Sequence, residues 1–374
     1  LTGAPADPKR YAQFAGQVAR RYGDRVTHFE IWNEPNGRIF FGPDPDPQRY
    51  TRMLVESYAA IKAVDPDATV IGGALGVADH GDGVIPPVPF LAAMYKAGAA
   101  GSFDALSFHP YDYNAPLATG ALYPTSPMQQ MVAMRELMLA NGDGDKPLWI
   151  TEYGAPTSIV SEDVQSTLIV DSLRQWPEVD SAGPFFIYGL RDAGPDSGDH
   201  LEGFGLTTAD FAPKKAFTAV TGVLAAGVPE RDEYKPFAAN RDESLGRAVT
   251  PVFSIADGHG QQFERGTRFD TADGWIDSPP DVAAIARRLQ ILPVGPFADG
   301  QQDFALPNGA RIFSGAATGT HIVYGAILDA WSPALGFPVS DEHPVDPSTQ
   351  SRAVDFEHGT ITWSPTTGAE VVRR

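Results

Sequence analysis

Residues 26–36 read VTHFEIWNEPN. The run Val26–Trp32 is rich in β-formers, and it stops abruptly on the polar pair Asn33-Glu34 and on Pro35, which cannot extend a ladder. A strand this short that ends on a carboxylate belongs to a repeating pattern. Upstream, residues 7–23 carry Tyr11, Phe14, Ala15 and Val18 at helical spacing, with Gly23 as a stop. Downstream the chain alternates. A helix is expected over 47–64, a strand over Thr69–Gly72, a helix over 88–100 and a strand over Phe103–Phe108. A helix over 126–141, a strand over Leu148–Thr151, a helix over 161–176 from Ser161, a strand over Phe185–Tyr188 and a helix over 213–226 complete the series. Apolar strands that alternate with longer helices predict parallel strands covered by helices. Two folds fit, a doubly wound sheet and a (β/α)₈ barrel. Both place their sites at the carboxyl ends of the strands. No Gly-rich phosphate loop follows any strand, which disfavours the nucleotide-binding versions.

Polar residues gather at those strand ends: Asn33 and Glu34 after the first, His109 and Tyr111 after the third, Glu152 after the fourth. Glu152 lies in Trp149-Ile150-Thr151-Glu152-Tyr153-Gly154. In a barrel, strands three apart face each other across one mouth. Two carboxylates across a cleft are what glycosidic cleavage requires, one to protonate the leaving oxygen and one to attack or stabilise the oxocarbenium-like centre. Close carboxylates also split their proton affinities. Trp32, Tyr111, Tyr153 and Tyr188 are candidate site-lining residues, with Trp32 equally suited to packing. Phe185 and Phe186 read as core, and Glu30 reads as structural. His28, His80 and His200 show no metal-binding spacing, so neither metal nor cofactor is expected.

The 374 residues suggest two or three domains. Lys and Arg number 28 against 47 Asp and Glu, a net charge of −19, which argues against nucleic acid or an anionic membrane as partner. No apolar run of membrane-spanning length occurs. Cysteine is absent, which excludes disulfides, thiolate catalysis and cysteine-ligated metals. The chain begins at Leu1 and enters a helical pattern almost at once, so a processed or truncated start is expected.

The combination FEIWNEPN, YAAIKAVDPDATVIGGA, FDALSFHPY, WITEYG and GLTTADFAPKKAF, over roughly residues 7–226, resembles glycoside hydrolase clan A and its family 39-like branch. The resemblance implies a retaining (β/α)₈ glycosidase of which strands 4–8 are visible. Strands 1–3 would precede Leu1 or come from another chain. It makes Glu34 the acid/base and Glu152 the nucleophile. It gives Asn33 to the sugar 2-hydroxyl, and it puts His109 and Tyr111 where an aromatic hydroxyl contacts the nucleophile. Tyr188 stands where the clan often has a sugar-platform tryptophan.

Beyond residue 228 the texture changes. Residues 229–243 read as a charged linker between a barrel portion (1–228) and a small all-β repeat domain (244–374). QFERGTRFD, ALPNGARIFS and DFEHGTITWS align on Gly266, Gly309 and Gly359. A second series runs through Leu245-Gly246, Val294-Gly295-Pro296 and Leu335-Gly336-Phe337-Pro338, and Trp331 and Trp363 read as repeat cores. Leu335–Pro338 with DFEHGTITWSPTTGAEVV resembles the LGFP repeat of actinobacterial envelope proteins. The match is good over 335–372, fair over 294–330 and poor over 245–275. That resemblance implies an extracellular, cell-wall-associated protein with the mycolic-type envelope as a partner, and the glycosidase resemblance implies a carbohydrate substrate as the other. A catalytically inactive carbohydrate-binding or wall-interaction protein is the competing expectation.

Overall fold

The computed structural model describes residues 3–79, 81–194, 201–346 and 348–374. Its chain divides into two compact units, Leu1–Lys235 with Ala248–Pro251, and Pro236–Arg247 with Val252–Arg374. The division falls within the expected linker 229–243, which contains a short helix at Tyr234–Ala239.

In the first unit, the elements in chain order are α1 (Pro8–Tyr22), β1 (His28–Glu30), α2 (Pro47–Lys62), β2 (Thr69–Gly76), α3 (Pro87–Lys96) and β3 (Ala105–His109). They continue with α4 (Leu117–Gly120), α5 (Pro127–Ala140), β4 (Leu148–Tyr153), α6 (Glu162–Gln175), β5 (Ala182–Ile187) and α7 (Lys215–Ala225). Helix starts follow capping chemistry. The side chains of Asp7, Asp46, Ser126 and Ser161 each accept a first-turn backbone N–H, and Pro8, Pro47 and Pro127 occupy the first helical position.

The five strands are all parallel and pair in chain order, β1-β2-β3-β4-β5. A doubly wound sheet needs a reversal of strand order, and there is none here. The helices pack on one another in the same sequence, α1 on α2, α2 on α3, α3 on α5 and α6 on α7, as an outer layer does. This is half of a (β/α) barrel, with β1 and β5 as its edges. The core between sheet and helices holds Val70, Leu106, Phe108, Ile150, Tyr50, Phe90 and Met134, all essentially buried. Phe186 departs from expectation. It is about half exposed, because it lies on edge strand β5, and it stacks on Trp149 with ring centroids 6.2 Å apart. Phe185 is only partly buried.

β2 runs four residues beyond the expected Gly72, and the register against β3 shifts between Gly72 and Leu75. Gly73 (φ 102°) and Ala74 (φ 46°) form this bulge. The amides it frees are served by side chains. Gly73 N donates to the Tyr50 hydroxyl at 2.8 Å, and Ala74 N donates to Ser107 Oγ at 2.7 Å.

The second unit is three successive antiparallel meanders. α8 (Tyr234–Ala239) begins in the first unit and ends in the second, which then holds β6 (Phe253–Ile255), β7 (Gly258–Phe263), β8 (Gly266–Thr271) and β9 (Gly274–Ser278). After α9 (Pro280–Leu289) come β10 (Gln301–Phe304), β11 (Ala310–Gly315) and β12 (Gly319–Tyr324). After α10 (Gly325–Ala330) come β13 (His343–Pro344), β14 (Arg352–Phe356), β15 (Gly359–Ser364) and β16 (Gly368–Arg373). Trp331 and Trp363 pack, partly buried, on a core of Phe313, Val323, Ile327, Leu335, Val354, Phe356 and Ile361.

The first and third meanders share one device. A 3-10 turn ends on a buried leucine, Leu245 or Leu335, and the next glycine takes a conformation reserved for glycine: Gly246 (φ 80°, ψ −154°) and Gly336 (φ 71°, ψ −163°). The residue after it donates its N–H to a glutamate from the following hairpin, Arg247 to Glu264 at 3.3 Å and Phe337 to Glu357 at 2.7 Å. The middle segment has Ala305-Leu306-Pro307-Asn308 before Gly309 and offers no such glutamate.

Candidate active site

The carboxyl ends of β1, β3 and β4 converge. Beyond β1 the backbone turns sharply, with Trp32 at φ 73° and Glu34 at φ 41°. Positive φ at two non-glycine residues costs about 1–3 kcal/mol each and persists only where surrounding structure fixes it. Three contacts do so. Glu34 N donates to Ala74 O of the β2 bulge at 2.9 Å. The buried Asn36 side chain donates to Gly76 O and accepts from Gly76 N, each at 2.8 Å. Trp32 Nε1 donates to Phe40 O at 2.9 Å, and its ring packs edge-on against Tyr11 and Phe41. Trp32, half-buried, is thus anchored at its indole N–H and flanked by two aromatic rings.

The Glu34 carboxylate meets His109, whose Nδ1 lies 2.9 Å from Glu34 Oε1 and 3.6 Å from Glu152 Oε2. The imidazole is buried, and its Nε2 lies 3.1 Å from Thr151 Oγ1. Tyr111 donates its hydroxyl to Glu152 Oε2 at 2.9 Å. Oxygens of Glu34 and Glu152 and a nitrogen of His109 all lie within 4.8 Å of one another. Glu34 and Glu152 keep part of their side chains open to solvent, 23% and 29%. Burial pushes the Glu152 carboxyl up from the ordinary glutamate range. The His109 charge and the Tyr111 hydrogen bond pull it back, and the Glu34 charge raises it. Burial, with the Glu152 charge next, raises the Tyr111 phenol, so Tyr111 stays a donor.

The expected residues sort as follows. Glu34, His109, Tyr111 and Glu152 come together. Asn33 is half-buried beside Glu34 in the chain. Tyr188 is 45% exposed, with its ring edge-on to Tyr111 at 6.4 Å. Tyr153 does not belong to the cluster. It is fully buried with its ring 5.5 Å from Phe185, because successive strand residues point to opposite faces and Glu152 takes the open one. His28 lies apart on β1, 5.4 Å from the Trp149 ring, and His80 and His200 lie outside the described residues. Sequence reasoning missed Thr151, Tyr113, Asn36, Gly76 and Phe204. Phe204, from the loop after β5, packs on Tyr111, Tyr113 and Tyr188 at 5.6, 6.2 and 5.4 Å. Only its glycine neighbours, Gly203 and Gly205, hint at close packing.

Two carboxylates and an imidazole can do acid–base and nucleophilic work, and the same three groups could ligate a divalent cation. Spacing in the sequence gave no sign of that second capacity, because the three residues come from three separate strands.

Residues 335–374 match the model of the LGFP repeat. A β-xylosidase of Geobacillus stearothermophilus is 28% identical over 234 residues, which are 55% of this chain and 43% of the xylosidase. The chain resembles a family 39 glycosidase and carries an LGFP repeat. It spans less than half the length of that curated relative. Among solved structures, a family 39 glycoside hydrolase from Bacteroides cellulosilyticus WH2 is similar at 18% identity and a TM-score of 0.47, covering 86% of this chain and 61% of the other. A family 39 β-xylosidase from Caulobacter crescentus is similar at 23% identity and a TM-score of 0.43, covering 72% and 54%. Among the described residues, no helix is long and apolar enough to cross a membrane.

Proposed function

We propose that this chain is part of a retaining glycoside hydrolase that cleaves O-glycosidic bonds by double displacement. The observation that carries the reading is the approach of Glu34 and Glu152, oxygen to oxygen within 4.8 Å. Carboxyl groups about 5–5.5 Å apart leave no room for a water between them and the sugar, so one must attack directly. Inverting pairs stand roughly 6.5–9.5 Å apart.

Glu152 attacks the anomeric carbon and forms a glycosyl-enzyme. Glu34 protonates the departing oxygen and then takes a proton from the incoming water. Tyr111 fixes the Glu152 oxygen that does not attack. His109, buried and anchored by Thr151, holds Glu34 at the distance that proton delivery needs. In this reading Asn33 meets the sugar 2-hydroxyl, and Tyr188, packed on Phe204, supplies an aromatic surface of the site. The β-xylosidase relative makes a β-xyloside the first substrate to try. We further propose secretion and attachment to the cell envelope through the LGFP-type repeats.

The test is hydrolysis of 4-nitrophenyl β-D-xyloside and a panel of β-glycosides by the full chain, with the anomer first released followed by NMR. Retention, and loss of turnover in both Glu34→Gln and Glu152→Gln, is expected. Inversion, or turnover by either variant near the unmodified rate, refutes the mechanism. No turnover of any glycoside together with sugar binding would favour a non-catalytic binding protein.

A further inference from the structure

A cavity of about 720 Å³ opens in the second unit, between β9 and residues 294–297, the turn that leads to β10. Its size falls in the range of small-molecule sites. The repeat explains why it is there. The series that aligns Leu335-Gly336-Phe337 with Val294-Gly295-Pro296 puts Pro296 where Phe337 stands. Phe337 fills its own junction. Its ring lies 5.5 Å from that of Phe313, and a Cβ on Gly300 or Gly315 would come within 2.7 or 3.1 Å of it. Pro296 is smaller and exposed, and the space beside it stays open. The match to the LGFP repeat model, over residues 335–374, does not reach this place.

Two polar groups of the wall lack a protein partner among the described residues. Ser278 is 2% exposed, and its Oγ makes no hydrogen bond. The indole N–H of Trp275 makes none either. Those of Trp32, Trp176 and Trp331 each donate to a backbone carbonyl. The Trp275 ring is nonetheless fixed, edge-on to Phe237 at 4.8 Å. A buried hydroxyl and an oriented N–H without partners cost free energy that a hydrogen-bonding ligand recovers. Phe297 and Trp275, both partly buried, add aromatic surface.

This wall discriminates among ligand classes. An acyl chain would cover Ser278 and Trp275 and leave their polar groups unpaired. An anion would meet the exposed Asp273 carboxylate and little free positive charge, because Arg265 spends Nε and Nη2 on the carbonyls of Ser244 and Glu243 at 2.5 and 2.8 Å. The Asp277 carboxylate is likewise neutralised, held by Arg268 through both oxygens at 2.8 Å. A peptide added as a further strand on β9, the last of its sheet, would need the Asp277 carbonyl. Gln302 Nε2 already takes that carbonyl at 3.1 Å, and also donates to Gly295 O at 2.9 Å. A neutral polyhydroxylated ligand satisfies every open group. Its hydroxyls donate to Asp273, pair with Ser278 and accept from the Trp275 N–H, while its C–H faces lie on the aromatic rings.

We propose that this cavity is a binding site for a neutral oligosaccharide, carried by the second unit. Trp275, Ser278 and Asp273 make its polar contacts and Phe297 its apolar one. The site goes beyond the glycosidase reading and stands without it.

The test is NMR of the full chain labelled with 15N-tryptophan, in a Glu152→Gln background so that no probe is consumed. The six tryptophans give six indole signals, and Trp275→Phe identifies the one that matters. The probes are xylotriose, cellotriose, maltotriose and triacetylchitotriose, with decanoate and a proline decapeptide as the competing classes. At least one trisaccharide should shift the Trp275 signal saturably, and decanoate and the decapeptide should not. Pro296→Phe should abolish the shift by filling the cavity as Phe337 fills its own junction. Asp273→Asn should weaken the binding read at Trp275 about three- to tenfold. No shift with any trisaccharide, a shift that survives in folded Pro296→Phe, or a shift with decanoate or the decapeptide instead overturns the proposal. Should Pro296→Phe fail to fold, Asp273→Asn decides, and affinity within about twofold of the parent overturns it. Hydrolysis of 4-nitrophenyl β-D-xyloside by the unmodified chain is scored separately. Its absence counts against the glycosidase reading alone, because the indole signal is read without turnover.

Discussion

Replacing Gly76 with alanine should cost about tenfold in kcat/KM without unfolding the protein. A Cβ on Gly76 would lie 2.8 Å from Glu34 Cδ and 3.0 and 3.1 Å from its two oxygens. Ordinary contact begins near 3.4 Å, so the carboxylate must retreat by roughly half an ångström. It is not free to retreat, because His109 Nδ1 holds Oε1 at 2.9 Å and the backbone of Glu34 is tied to Ala74 O. A misplacement of about 1 Å at a reacting group can cost about 10²-fold, and each tenfold is about 1.4 kcal/mol of activation free energy. Half that displacement gives about 1.4 kcal/mol, or about tenfold. Gly76 is not among the positive-φ glycines, so alanine is compatible with its backbone. The assay is steady-state hydrolysis of an aryl β-glycoside alongside a thermal melt. The fall should be in kcat as much as in kcat/KM, because proton delivery is impaired rather than substrate binding. Unaltered kcat with an unaltered melt would refute the idea that the β2 bulge sets the position of Glu34.

Further expectations follow from single residues. Glu152→Gln should raise the melting temperature at pH 8 and lose that advantage toward pH 4. The folded pKa of Glu152 lies above its unfolded value, so the native state binds more protons between the two, and stability falls as pH rises through that window. A melt series in which the advantage grows toward acid would contradict this. Gly222→Ala, in the interior of α7 with open space where the methyl group would go, should stabilise by about 0.5–1 kcal/mol in urea unfolding. Gly336→Ala and Gly246→Ala should each destabilise their meander by about 1–3 kcal/mol, since both glycines hold a backbone region nearly closed to other residues. Equal melts would mean the shared turn is not structural. Dialysis against EDTA should leave hydrolysis unaffected. Loss that zinc or manganese restores would replace the two-carboxylate mechanism with a metal-assisted one on Glu34, His109 and Glu152.

The strand–helix alternation was legible because each element carries its own local signal. The N-caps Asp7, Asp46, Ser126 and Ser161 and the prolines after three of them mark helix starts within a residue or so. Glu34 and Glu152 were legible as a pair because both follow apolar strands directly. What escaped depends on long-range partners. The β2 bulge needs Tyr50 and Ser107 to serve its amides, and neither is near it in sequence. The choice between Glu152 and Tyr153 for the open face rests on strand register, which shifts between β4 and β5 on both sides of Ile150. Phe186 read as core because a strand's hydrophobicity does not say which of its faces is covered. The turn at Leu245-Gly246 was the weakest sequence match of the series. Yet its glycine geometry and its Glu264 contact repeat those of Gly336 and Glu357, because what is shared is a backbone shape and one carboxylate.

Glu34 is the residue on which these observations converge, and the convergence has a physical reading. Its left-handed backbone follows Trp32, also left-handed, so the two together store strain of a few kcal/mol. Four separate features oppose relaxation: the Ala74 carbonyl, the double hydrogen bond between Asn36 and Gly76, the Trp32 indole anchored on Phe40, and the missing side chain at Gly76. A surface carboxylate that merely solubilised a loop would relax into an ordinary conformation. A carboxylate that only bound a sugar hydroxyl would tolerate motion of half an ångström at small cost. Delivering a proton to one oxygen while a second carboxylate attacks on the other side of the same bond does not tolerate it. The cost of holding Glu34 in place therefore supports the catalytic reading over the binding one, independently of any likeness to other proteins.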